Sequence, residues 1–251
     1  MITVLVPPGA VSPGAAAGRR ERLDAAEQHH LRVRRAHDGE LVALRDGAGL
    51  VGSGRIAFVG KAWEVEIENA ERQARPTALT LAVGAGDRER FGWLVERAAE
   101  LGATRIVPLL SARAADVASR LRESHLEKLR RQALEATKQC GAAWAVEVAA
   151  PEALTSFVGR SEWERRGSGG SDSGLHWLAD PAGAPPPAVL DTAPVTVVIG
   201  PEGGLDDQER AALLAAGYHP LSLSAHTLRF ETAALAAAAA VATARLRGMH
   251  G

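Results

Sequence analysis

The stretch VTVVIGPEGG, residues 195–204, does most to limit what this chain can become. Val195 to Ile199 are mostly β-branched and read as a buried strand. The strand has to stop at Gly200-Pro201, because Pro201 carries no N–H and fixes its own φ. Glu202 follows, then Gly203 and Gly204, which can adopt positive φ. Asp206 then caps a helix, and Glu209, three residues on, supplies the second half of a capping box. Taken alone, this is a tight strand–helix turn. A plain turn, however, needs one glycine, not several with a proline around a carboxylate. A buried strand ending in a glycine-rich turn before a helix is where open α/β sheets bind ligands.

The flanking chain repeats strand–helix–strand order. Residues 77–83 alternate Leu, Thr and Val as a strand, and Asp87 caps a helix over 88–101 that puts Leu94, Ala98 and Leu101 on one face. Gly102 ends that helix, and 104–110 is the next strand, so a parallel sheet is expected. The G-A-G at 84–86 could suggest a dinucleotide turn. Glu89 stands where the third glycine would be, and no acidic residue closes a second strand at the right distance. Residues 125–141 read as a helix with Leu126, Leu129, Ala133 and Ala136 inward and Lys128, Arg130, Arg131 and Lys138 outward. A strand at 145–148 and a helix at 152–158 follow. Residues 159–174, Gly/Ser-rich and polar, are expected to be a flexible insertion. A strand at 176–180 ends in Pro181, 206–216 is a helix, 218–223 a strand, and 232–247 an Ala-rich helix.

Residues 1–72 look different: short, β-rich and closely punctuated. They contain strands at 2–6, 39–44, 50–59 and 63–67, with a hairpin signal at Asp46-Gly47. A short helix over 24–33 has Asp24 as cap and Glu27 completing the box. Such spacing suggests a small barrel. RQARP, 72–76, is the expected linker. Arg19, Arg20, Arg22, Arg32, Arg34 and Arg35 lie close together, and guanidinium groups in such number can hold phosphates or simply face water. His29-His30 lacks a Cys or acidic partner at ligand spacing, so no metal is expected.

Net charge is -1, with 29 Lys+Arg against 30 Asp+Glu, so any basic surface must be local. The single Cys140, expected to be a small buried residue, rules out an internal disulfide. The apolar run at the N-terminus is short and lacks a preceding positive region, and no stretch reads as a membrane span. A cytoplasmic protein is expected.

Downstream of IGPEGG the chain reads LSLSAHTLRFETA, residues 221–233. IGPEGG followed by L-x-L-x-x-x-x-L-R-x-E-T-A resembles the RsmE-type 16S ribosomal RNA (uracil-N(3))-methyltransferases of the SPOUT class. E-L-G at 100–102 and E-A-x-x-Q-C-G at 135–141 also match, and HHLRVRR…GELVALRDGAG resembles the N-terminal PUA-like domain of that family. The chain departs from the family pattern at Ala142, near Gly86, and at Ser224, His226 and Phe230.

The resemblance implies an α/β fold: a SPOUT domain with a C-terminal trefoil knot over 77–251, and a PUA-like RNA-binding β-barrel over 1–72. It implies S-adenosylmethionine as cofactor, held by Leu178, Ile199, Gly200, Pro201, Glu202, Gly203, Gly204, Leu223 and Leu228. It implies 16S ribosomal RNA or the small subunit as partner, and a homodimer through the last helix. Arg229 is the candidate cation beside the target base, buried next to Glu231. Glu202 and Glu231 order the loops, with proton abstraction by one of them as an option. The rival expectation is an RNA-binding paralogue with another RNA target or no transfer activity.

Overall fold

Alternating apolar side chains mark the first sheet and unbroken apolar runs the second. In a computed structural model, which describes residues 1–14, 18–114, 123–167 and 174–250, the chain forms two units. One is Met1–Pro76 with Leu134–Ala145; the other is Thr77–Ala133 with Val146–Gly251. The change of unit at Pro76–Thr77 falls at the expected linker, but 134–145 joins the N-terminal unit, which no local signal announced.

The first unit holds β1 (Ile2–Leu5), β2 (Arg20–Arg22), α1 (Ala25–Val33), β3 (Leu41–Arg45), β4 (Leu50–Val59) and β5 (Ala62–Arg72). They form a sheet in the order β1-β3-β4-β5-β2, with β1 parallel to β3 and the other pairs antiparallel. In β5 Trp63, Val65 and Ile67 enter the core, while Glu64, Glu66 and Glu68 take the other face. Asp24 caps α1 by accepting from Glu27 N at 2.8 Å. The expected return bond is not made. The Glu27 carboxylate turns inward instead, and Lys138 Nζ donates to its Oε1 at 2.6 Å. Both side chains are buried, 2% and 6% exposed. Lys138 is therefore not on an outward face: an ammonium at this depth requires a carboxylate partner. Cys140, two residues on, is exposed rather than buried.

The second unit holds β6 (Leu79–Gly84), α2 (Arg88–Glu100), β7 (Arg105–Leu110), the start of α3 (Glu123–Cys140), β8 (Glu147–Val148), β9 (Glu152–Ala153) and α4 (Leu154–Gly167). It continues with β10 (Leu175–Ala184), β11 (Val195–Ile199), α5 (Asp207–Ala215), β12 (His219–Leu221) and α6 (Phe230–His250). The sheet order is β12-β10-β11-β6-β7-β8, with β9 also on β7, and every pair is parallel. Leu79, Leu81, Val195, Val197 and Ile199 face a core shared with α2, α3 and α6. Ala82, Val107, Leu178 and Val198 face a core shared with α4 and α5. Strands buried on both faces read as unbroken apolar runs, as VTVVI does. The Ala run of α6 lies partly on its own sheet: Ala234, Ala237 and Ala238 are wholly buried there.

Three expectations change. α4 continues to Gly167, so the first part of the supposed insertion is helical; SEWERR is charged and helix-compatible, and the Gly/Ser run starts only afterwards. Residues 168–173 of that insertion lie outside the described residues. β10 passes Pro181 and reaches Ala184, because Pro181 sits in an irregular stretch between paired Ala179 and Ala184 where no ladder N–H is needed. β12 is shorter than expected, leaving Leu223 in the following loop.

Candidate functional site

The tail of β10, the turn after β11 and the loop 222–229 after β12 all leave the C-terminal ends of parallel strands. Together they line a cavity of about 470 Å³. Local chemistry sets each wall. At the turn after β11, Gly204 N donates to Pro201 O at 2.8 Å, and Gly204 has φ +70°, which a side chain would strain. The capping box forms in full: Glu209 N donates to Asp206 Oδ1 at 2.7 Å, and Asp206 N to Glu209 Oε2 at 3.0 Å. The other oxygen of Glu209 accepts from Ala112 N at 2.7 Å, tying α5 to the segment after β7. In the loop after β12, Ser224 Oγ accepts from His226 N at 3.1 Å, so the serine makes its own tight turn.

Leu178, Ile199, Gly200, Pro201, Glu202, Gly204, Leu223 and Leu228 all line the cavity. Gly203 does not. Its carbonyl faces away and accepts from Arg113 Nη1 at 2.9 Å. Glu202 is exposed at the rim, and its Oε1 accepts from Asp87 N at 3.3 Å. Asp87 in turn caps α2 through Glu89 N and Arg90 N. Glu202 thus links the turn to the start of α2.

The expected pairing of Arg229 with Glu231 does not form. Arg229 lines the cavity but is exposed, with no ion pair among the described residues. Glu231 is buried and lies off the cavity wall, its Oε1 3.9 Å from Arg90 Nε. Residues two apart at a helix start point to different sides, so α6 turns Glu231 toward α2 while Arg229 stays at the rim. The Oε2 atom of Glu231 is buried without a hydrogen-bond partner among the described residues.

Sequence reasoning missed Asp180 and Arg210, which also line the cavity. Arg210 Nε donates to Asp180 Oδ2 at 2.8 Å, and Ala182 N donates to Oδ1 at 2.8 Å. The Ala182 N–H first, and Arg210 second, hold this carboxyl below the usual carboxylate range against the effect of burial. A carboxylate at the end of a parallel strand was the available signal; its partner, 30 residues away, carried none.

The six N-terminal arginines are exposed. Arg20 is held by Glu66 at 2.8 Å, Arg19 donates to Ala10 O, and Arg32 to Gln28 O. Arg22, Arg34 and Arg35 have no side-chain partner among the described residues, and Arg35 ends α1 at φ +52°. Among the described residues no group of three or more His, Cys, Asp or Glu could hold a metal ion, and no helix is long and apolar enough to cross a membrane.

The family model of the RNA methyltransferase domain matches residues 73–242, over half of the chain and all of the cavity wall. The chain belongs to the RNA methyltransferase family. This methyltransferase is 29% identical over 225 residues to ribosomal RNA small subunit methyltransferase E of Synechocystis sp., covering 87% of this chain and 71% of that one. It is 28% identical over 216 residues to the protein of that name from Aquifex aeolicus, covering 84% and 89%. Among solved structures it resembles a Legionella pneumophila protein in complex with the bound cofactor SAM, at 27% identity and TM-score 0.73, covering 94% and 95%. The Neisseria gonorrhoeae ribosomal RNA small subunit methyltransferase E shares the α/β fold at TM-score 0.76 and 23% identity, covering 96% of each chain.

Proposed function

We propose that this protein transfers a methyl group from S-adenosylmethionine to N(3) of a uracil in 16S ribosomal RNA. The observation that carries this reading is the cavity closed by the turn after β11 and the loop after β12. Its volume of about 470 Å³ suits a ligand of this size. The apolar faces of Leu178, Ile199, Leu223, Leu228 and Phe230 suit a flat ring, and Asp180 with Arg210 suits a charged end. The cofactor fits the residues present. The rival, an RNA-binding paralogue with another RNA target or no transfer activity, is not favoured by the likeness over most of the chain to proteins named ribosomal RNA small subunit methyltransferase E.

When bound, S-adenosylmethionine supplies a methyl group already activated by its sulfonium. What remains for the chain is positioning and charge. The leucines and Ile199 exclude water and orient the ring, and the backbone of Gly200 to Glu202 supplies polar contacts. Arg229, exposed at the rim with no ion pair among the described residues, donates to the base as negative charge develops on it. Of the two carboxylates lining the cavity, Asp180 is engaged by Ala182 N and Arg210, so Glu202 takes the imide proton, at Oε2 because Oε1 accepts from Asp87 N. Glu231 faces Arg90 and serves the loop.

The reading includes a trefoil knot in the second unit, supported by the loop after β12 leaving the sheet edge and returning as α6 on β6 and β11. It includes a PUA-like barrel over 1–72, supported by the five-stranded sheet and by Arg22, Arg34 and Arg35, whose side chains have no partner among the described residues. It places a homodimer in the cytoplasm. Transfer of tritiated methyl from S-adenosylmethionine to unmodified small subunits, followed by mapping of the product, tests the function. N(3)-methyluridine in 16S RNA is expected; no label, or label elsewhere, overturns it.

A further inference from the structure

We infer that Asp180 and Arg210 form a clamp for the amino-acid end of the cofactor, a specificity contact that rests on the methyltransferase reading. Apart from Glu202 and Arg229 at the rim, the rest of the cavity wall is mostly apolar side chains and backbone, of which Leu178, Ile199 and Leu221 are typical. Into it the chain places two opposite charges 2.8 Å apart. They come from different elements, Asp180 from the tail of β10 and Arg210 from α5.

Structure alone does not call for this pair. The β10 tail is already fixed on β12, because Gly183 packs directly on the backbone of Pro220 and Leu221, and Ser222 N donates to Ala184 O at 2.8 Å. α5 is already fixed by its full capping box and by Ala112 on Glu209. Single-contact surface ion pairs add little to stability. The pair is therefore free to serve a ligand.

Its remaining valences suit a zwitterion. Each Asp180 oxygen carries one hydrogen bond and can accept another. Among the described residues Arg210 uses only Nε, leaving both Nη groups to donate, and its side chain is 44% exposed. An α-ammonium and an α-carboxylate are two bonds apart, so one molecule can place its ammonium on Asp180 and its carboxylate on the Arg210 Nη groups. That leaves four alternating charges, each hydrogen-bonded to its opposite. Asp180 is held ionised by Ala182 N and Arg210, as the clamp requires.

The test compares two ligands that share adenosine and sulfur and differ in the amino acid: S-adenosylhomocysteine, which has it, and 5′-methylthioadenosine, which does not. Calorimetry is run on the full chain and on Asp180→Asn, Arg210→Lys and Arg210→Met. The expected result is a loss of roughly tenfold or more for S-adenosylhomocysteine in Asp180→Asn and Arg210→Met, and a smaller one in Arg210→Lys. Methylthioadenosine affinity stays within about twofold in all three. If both ligands weaken alike, the pair only shapes the wall and the clamp is wrong. If neither variant position changes S-adenosylhomocysteine binding, the clamp is equally wrong. If the unaltered chain binds neither ligand, the cofactor reading itself fails, and the clamp with it.

Discussion

Gly86 and Phe230 occupy each other's space: a Cβ built on Gly86 would lie 2.6 Å from Phe230 Cε1 and within 2.8 Å of both Glu202 carboxylate oxygens. Phe230 is 2% exposed and stacks on Phe91 with ring centroids 6.3 Å apart. The departure from the resembled pattern at Phe230 thus lies against the stretch at Gly86, near which the other departure was placed. A large ring at 230 fills the room that a side chain at 86 would need.

Gly86→Ala should therefore destabilise the second unit by about 1–3 kcal/mol, the usual result of overpacking. Phe230→Thr makes room, so the double variant should lose less than the sum of the two singles. Urea denaturation of the four proteins reads this coupling directly. Strict additivity would show that the two residues do not share the space.

Arg229→Ala should slow methyl transfer by roughly a hundredfold, about 3 kcal/mol, while S-adenosylhomocysteine affinity and Tm stay put. The reason is structural: Arg229 is exposed at the rim and clamps nothing among the described residues. A fall in Tm together with the rate would make it a loop support instead.

Glu202 and Glu231 should separate on substitution. Glu202→Gln leaves the hydrogen bond from Asp87 N possible but removes the proton acceptor at the cavity, so the rate should fall by about a hundredfold or more with little change in Tm. Glu231→Gln should act mainly on stability, by about 1–3 kcal/mol, because its carboxylate is buried near Arg90. The reverse pattern would exchange their roles.

The buried pair in the first unit should dominate that unit's response to mutation. Lys138→Ala leaves the Glu27 carboxylate buried without its cation, at a cost of about 3–5 kcal/mol. Replacing both, Glu27→Leu with Lys138→Met, should recover most of that loss. Burial raises the Glu27 pKa above its usual 4.5, in spite of the Lys138 hydrogen bond and charge that lower it. The fold then holds this proton more tightly than the unfolded chain does. The contribution is full below pH 4.5 and disappears as pH rises through the folded pKa, so the unfolding free energy falls across that window. Glu27→Gln should flatten this part of the profile; an unchanged slope would place the titration elsewhere.

Static light scattering at micromolar concentration should give twice the chain mass of 26.3 kDa. A mass near 26.3 kDa would leave the proposed dimer without support.

The sequence alone determined whatever a few neighbouring residues decide. Pro201 stops β11, Gly204 takes the positive φ, and Asp206 with Glu209 starts α5, all within ten residues. Alternation in WEVEI marked the buried face of β5, and the unbroken VTVVI marked a strand covered on both sides. The two motifs likewise located most of the cavity wall. Tertiary structure decided the partners. Lys138 meets Glu27 across 111 residues, and Arg210 meets Asp180 across 30. Glu231 meets Arg90 rather than its near neighbour Arg229. Periodicity tells which face of an element is buried, because that depends on residues a turn apart. Which charge answers a buried charge depends on which elements the fold brings together, and a buried ion is stable only where that partner arrives.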